Sequence, residues 1–113
     1  MGKKLIKSES DIRCMGNETK RSCDMRWRVA MEILKKLPRG AKLKQNQSIK
    51  VGRGKWLVPD FTIEYSGGGL QCIEIGLAGS KRLGKLQGVC DEVIHVSRGK
   101  RFVFKPLFRR RKD

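Results

Sequence analysis

Two carboxylates, Asp60 and Glu74, stand where acids are costly. The stretch from Trp56 to Gly79, WLVPDFTIEYSGGGLQCIEIGLAG, reads as two strands joined by a glycine-rich turn, the first rich in β-branched and aromatic residues and the second apolar enough to be buried. Asp60 follows Pro59 in the first, and Glu74 lies inside LQCIEIGL in the second. A carboxylate in such a strand loses its hydration and needs a compensating partner. One bound divalent cation would compensate both, because hard cations take carboxylate oxygens as ligands.

The turn decides whether the two acids can meet. If Ser66 to Gly69 closes a tight loop, Tyr65 pairs with Leu70, Asp60 falls opposite Ile75, and the acids point to opposite faces of the sheet. If the loop takes five residues, Tyr65 to Gly69, or a glycine forms a bulge, Asp60 pairs with Glu74 and both share one face. Three consecutive glycines make the second register easy to reach, and it is the one expected.

The remaining elements must position this pair. From Lys20 to Leu37 the apolar residues Trp27, Ala30, Leu34 and Leu37 recur at helical spacing, flanked by Cys23 and Ile33, and Pro38-Arg39-Gly40 stops the helix. Asp24 lies at the margin of that stripe and Glu32 nearly opposite it, so Asp24 is the acid this helix could add to a metal site and Glu32 reads as a solvated surface charge. Ala41 to Val51 reads as a strand ending at Gly52-Arg53-Gly54, with Gln45 and Gln47 on one face as ordinary polar positions. Ser80 can cap a helix over 81–90, where Gly84 and Gly88 suit a close backbone approach. Strands follow over 91–97, containing the single histidine His95, and over 101–105. A lone strand histidine is more often packed or exposed than catalytic.

Composition narrows the partner. The chain has 113 residues, enough for one modest core. Lys and Arg total 27 against 11 acids, a net charge of +16, which points to a polyanion, nucleic acid before an anionic membrane. Ile33 to Pro59 holds eight basic residues and no acid, and Val93 to Lys112 eight and none, while Asp60, Glu64, Glu74, Asp91 and Glu92 sit between those flanks. Coating phosphates alone gives no reason to place carboxylates in central strands; Glu64, Asp91 and Glu92 read as solvated charges at strand ends. Residues 1–19, with Lys3, Lys4 and Lys7, read as a flexible basic arm, and residues 106–113 as a basic tail. No apolar run has the length of a membrane span and the N-terminus lacks a signal-peptide core, so an intracellular protein is expected, in cytoplasm, nucleoid or an infected host cell. Cys14, Cys23, Cys72 and Cys90 form no CxxC pair and read as reduced thiols without a zinc site.

Val58-Pro59-Asp60-Phe61 and Cys72-Ile73-Glu74-Ile75-Gly76, with the element order around them, resemble the PD-(D/E)xK nuclease superfamily over roughly residues 20–104. The resemblance implies an α/β (α+β) fold, a small mixed sheet of four to five strands flanked by two helices in a restriction-endonuclease-like αβββαβ core, with residues 20–105 as the nuclease-like domain. It implies a metal-dependent endonuclease acting on DNA, with Asp60, Glu74 and the backbone carbonyl of Ile75 holding Mg²⁺ or Mn²⁺. The family's lysine, two residues after the glutamate, is replaced here by Gly76; Lys81, or Lys85 one turn on, could supply it from the following helix. Arg53, Lys55, Arg109, Arg110 and Arg111 would grip the backbone. Cutting a duplex with one site per chain suggests a homodimer. The resemblance puts DNA ahead of RNA, and the dispersed aromatics, which show no stacking platform, lean towards a duplex over a single strand. The competing reading is a non-catalytic nucleic-acid-binding protein on a degenerate nuclease-like fold, which accounts for Gly76 and for the charge.

Overall fold

Two faces of one sheet divide the apolar residues of this chain. The computed structural model describes residues 4–107. Strands β1 (Lys4–Ile6), β2 (Lys42–Gln45), β5 (Phe61–Glu64), β6 (Leu70–Ile75) and β7 (Glu92–Val96) form a five-stranded sheet in the order β1-β2-β5-β6-β7, while β3 (Ile49–Gly52) and β4 (Lys55–Leu57) pair as a separate hairpin. The first three neighbouring pairs are antiparallel and β6–β7 is parallel. A parallel pair requires a crossover, and helix α2 (Ser80–Gln87) provides it. The result is the expected small mixed sheet flanked by two helices.

Helix α1 (Lys20–Lys36) starts where Thr19 accepts a hydrogen bond from the Ser22 amide at 3.1 Å, and stops at Lys36, with Leu37 between it and Pro38. Val29, Ala30 and Ile33 seal one face of the sheet against Leu43, Phe61, Ile63, Ile73 and Val96. The expected stripe is rotated: Trp27 is 40% exposed and Arg26 is buried in its place. On the other face Leu86 of α2 packs on Cys72 and Cys90, with Val51 and Leu57 of the hairpin beside them. Ser80 is the first residue of α2 rather than its cap, and Gly79 stands at the cap position. Nothing comes within 4 Å of a Cβ built at Gly84, so that glycine serves no close approach.

Three segments differ from expectation. Residues 4–6, placed in a flexible arm, are the edge strand β1, because Ile6 is buried in the core and its backbone pairs with β2. The strand read over 41–51 breaks at Asn46, whose φ of 61° ends β2 and turns the chain into the hairpin. Residues 101–105 join no ladder; they cross the α1 face, where Phe104 is buried and its amide donates to Glu32 at 3.0 Å.

The cysteines also pair, contrary to the thiol reading. Cys14 bonds to Cys23, and Cys72 on β6 bonds to Cys90 after α2, with Cα separations of 5.3 and 6.5 Å. Widely spaced cysteines carry no local signal of partnership, so only the fold brings them together.

Candidate functional site

The register between β5 and β6 builds the site. Glu64 pairs with Leu70 and Phe61 with Ile73, so Tyr65 to Gly69 is the five-residue loop, closed by Tyr65 and Gly69 and by a Gly68 amide bond to the Tyr65 carbonyl at 2.9 Å. The ladder ends at Phe61 and Ile73; Asp60, in the bend just before β5, is joined to β6 through the Ile75 amide, next to Glu74, and the two acids turn to different helices, Asp60 to α1 and Glu74 to α2. Glu74 is 5% exposed, and Asp60, at the mouth of β5, has a side chain 21% exposed.

Two arginines, one from each helix, compensate these acids. Arg26 of α1 donates from Nη1 to Asp60 Oδ1 at 2.7 Å and grips Glu18 through Nε and Nη2 at 2.8–3.2 Å. Arg82 of α2 donates from Nε and Nη2 to the two oxygens of Glu74 at 3.0 and 3.2 Å, and from Nη2 to the Val58 carbonyl at 2.9 Å. The second oxygen of Asp60 accepts the Ile75 amide at 2.7 Å. Burial alone would lower the pKa of Arg26, but its hydrogen bonds to Glu18 and Asp60 outweigh that and raise it. Arg82 is raised chiefly by its hydrogen bond to Glu74, against a smaller lowering by burial, with the charges of Glu74 and Asp60 adding to the rise. Its guanidinium therefore feels both acids.

The other site candidates separate from this pair. Lys81 and Lys85 are exposed, and neither forms an ion pair with Asp60 or Glu74 among the described residues; Arg82, between them, does. The contact from Ile75 to the site runs through its amide, which donates to Asp60. Asp24 is exposed and lines a cleft between α1 and residues 98–102. The only group of three potential metal ligands among the described residues is Cys14, Glu18 and Cys23, and the bond between its two sulfurs removes the thiolates a metal would need. Arg53 and Lys55 are exposed on the β3–β4 hairpin, and Arg109, Arg110 and Arg111 lie outside the described residues. Gly76 has φ +86°, a backbone that a lysine adopts only with strain, so this turn admits glycine where the resemblance expects the basic residue. The carbonyl of Gly76 meets His95 Nε2.

Several polar residues are hydrogen-bonded within the chain, Asp91 and Glu92 while staying exposed as expected. Glu32 accepts from Lys36 and from the Phe104 amide; both lower its pKa, the lysine bond more. Glu64 is held by Lys44 and Gln47 at 2.9 and 2.8 Å, Asp91 accepts the Leu70 amide at 2.8 Å, and Glu92 accepts from Gln71 at 2.7 Å. Gln45 is buried against the Arg13 backbone, on the face opposite Thr62, whereas Gln47 bonds Thr62 itself.

Carboxylates are the donors a hard cation takes, and here each of the four oxygens already accepts from a protein group. Both acids face positive charge, and Glu74 faces the more exposed guanidinium, with the Arg82 side chain 35% exposed. Glu74 is buried beneath that guanidinium, which also holds the Val58 carbonyl, so a cation at Glu74 would have to displace or share a two-point contact. Arg26, 9% exposed and shared by two carboxylates, is the fixed partner.

The sequence reading missed Arg26 and Arg82. Arg82 had a signal, one position after Lys81 at the start of the same helix; Arg26 had none, because it sits between apolar positions of an amphipathic stripe. No family model matches the chain, and neither a curated protein nor a solved structure matches it.

Proposed function

We propose that this chain is a metal-dependent endonuclease that hydrolyses phosphodiester bonds in DNA. The observation that carries the reading is that Asp60 accepts the amide next to Glu74 and that both acids lie within the field of one guanidinium, Arg82. Support also comes from the PD motif directly preceding β5 and the Glu motif lying on β6, in a sheet with helices on opposite faces. Asp60 and Glu74 would hold Mg²⁺ or Mn²⁺, which supplies a bound water of lowered pKa and positive charge against the phosphoryl oxygens. The Ile75 amide and Arg26 fix the orientation of Asp60. Arg82 takes the charge-stabilising part that the family assigns to lysine. It does not act as a base, because a guanidinium keeps its proton.

A second reading, a non-catalytic nucleic-acid-binding protein, is favoured by one specific observation: all four carboxylate oxygens already have protein donors. Nicking of supercoiled plasmid with Mg²⁺ or Mn²⁺ separates the two. The parent is expected to nick, Asp60→Asn and Glu74→Gln to abolish nicking with duplex binding retained, and Arg82→Ala to slow it by roughly 10²–10³-fold, the usual effect of removing one preorganised charge-stabilising donor. A parent that binds duplex and never nicks with either metal establishes the second reading.

A further inference from the structure

Arg21 and Arg28 lie seven residues apart on α1, about 10 Å along its axis at roughly 1.5 Å per residue. Facing them across a cleft of about 820 Å³ are Arg98, Lys100 and Arg101 from the turn after β7. All five are exposed, and none has an ion-pair partner among the described residues. The two acids lining the cleft do not balance them: Asp24 is exposed, and Glu32 is already engaged by Lys36 and the Phe104 amide. Like charges gathered on facing walls repel one another, and a bound polyanion relieves that repulsion.

We propose that this cleft binds the phosphodiester backbone of nucleic acid, whether or not the Asp60–Glu74 site hydrolyses it. Four of the five cations are arginines, whose planar fork engages phosphate through two parallel hydrogen bonds. The charges line both walls of a concavity, so a ridge of backbone inserted between them meets all five; a flat membrane surface reaches only the rims. The length along α1 spans about three phosphates of one strand at roughly 3.4 Å each along a duplex axis. Arg98 also lines an adjoining recess of about 590 Å³ with Thr19 and Ser22. That recess lies at the N-terminus of α1, where amides unsatisfied by the helix favour an anion. Glu18 lies in the same recess, where its carboxylate is neutralised by Arg26.

The test is the anisotropy of a labelled short DNA duplex titrated with the full chain across a salt series. Arg28→Gln/Arg98→Gln/Arg101→Gln is compared with Arg39→Gln/Lys42→Gln/Lys50→Gln, which removes the same charge at exposed positions outside the cleft. The cleft variant is expected to lower the slope of log K against log salt by about 2.7, or about 0.9 for each of three phosphate contacts, with at least about a tenfold loss of affinity; the control is expected to keep most of the slope. All six side chains are exposed, so thermal melts should match the parent and exclude misfolding. Equal losses in the two variants, or an unchanged slope in the cleft variant, overturn the proposal, as does a cleft variant that loses phosphatidylserine vesicles but keeps the duplex. The titration is run without a divalent metal, so a parent that binds through the cleft and never nicks fails the nuclease reading alone, while equal slopes in the two variants fail this one alone.

Discussion

Arg26 shows how one side chain can decide what a carboxylate pair is for. It is 8% exposed in the middle of an apolar helix face, a position that an unpaired cation does not hold. Glu18 on one side and Asp60 on the other supply the counter-charge. Replacing Arg26 by methionine preserves volume and removes the charge from two acids at once, one of them with a side chain 4% exposed. Breaking a buried ion pair on one side costs about 3–5 kcal/mol, and chemical denaturation of Arg26→Met is expected to show a loss of that size. A change under about 1 kcal/mol, the range of an exposed pair, would place the group in water. Arg82, more exposed, should cost less stability when removed and more activity. That contrast separates a structural guanidinium from a functional one.

Among the elements, the C-terminal stretch over 101–107 is held by few contacts, and Glu32 makes one of the strongest. The Glu32 carboxylate accepts the Phe104 amide at 3.0 Å and Lys36 at 2.6 Å, and these bonds hold its pKa below the ordinary 4.5. A depressed carboxylate adds stability that is present above its unfolded pKa and is lost as pH falls through the folded one. Acid unfolding of the parent should therefore steepen below about pH 4.5, and Glu32→Gln, which cannot titrate, should flatten that limb while lowering stability at neutral pH. Identical acid limbs would mean that other carboxylates drive the transition. The far end of the stretch is pinned where the Leu107 amide donates to the Tyr65 hydroxyl at 3.0 Å, and Tyr65 has its pKa raised mainly by burial.

Taken together, the elements place one carboxylate pair in each chain, so the proposed enzyme cuts one strand per encounter. Supercoiled plasmid is expected to become open circle first, with linear product appearing at higher protein concentration if two copies meet on a duplex. Linear product formed from the start at low protein would mean that a stable dimer is the working form, and sedimentation would then show it. No helix among the described residues is long and apolar enough to cross a membrane. The basic surface instead spreads around the sheet, over α1, the turn after β7 and the β3–β4 hairpin.

Much of this arrangement was readable from local chemistry. The end of α1 follows from Pro38, and the five-residue loop, which sets the pairing of Phe61 with Ile73, follows from three glycines. Each depends on residues close together in the chain, where steric limits on the backbone act directly. The partners of Asp60 and Glu74 were not readable, nor were the disulfides, the edge strand β1, or the clamp between Glu32 and Phe104, 72 residues apart. Such contacts depend on which faces pack together, and burial is indifferent to sequence distance: it placed Arg26 inside because two carboxylates were already there to receive it.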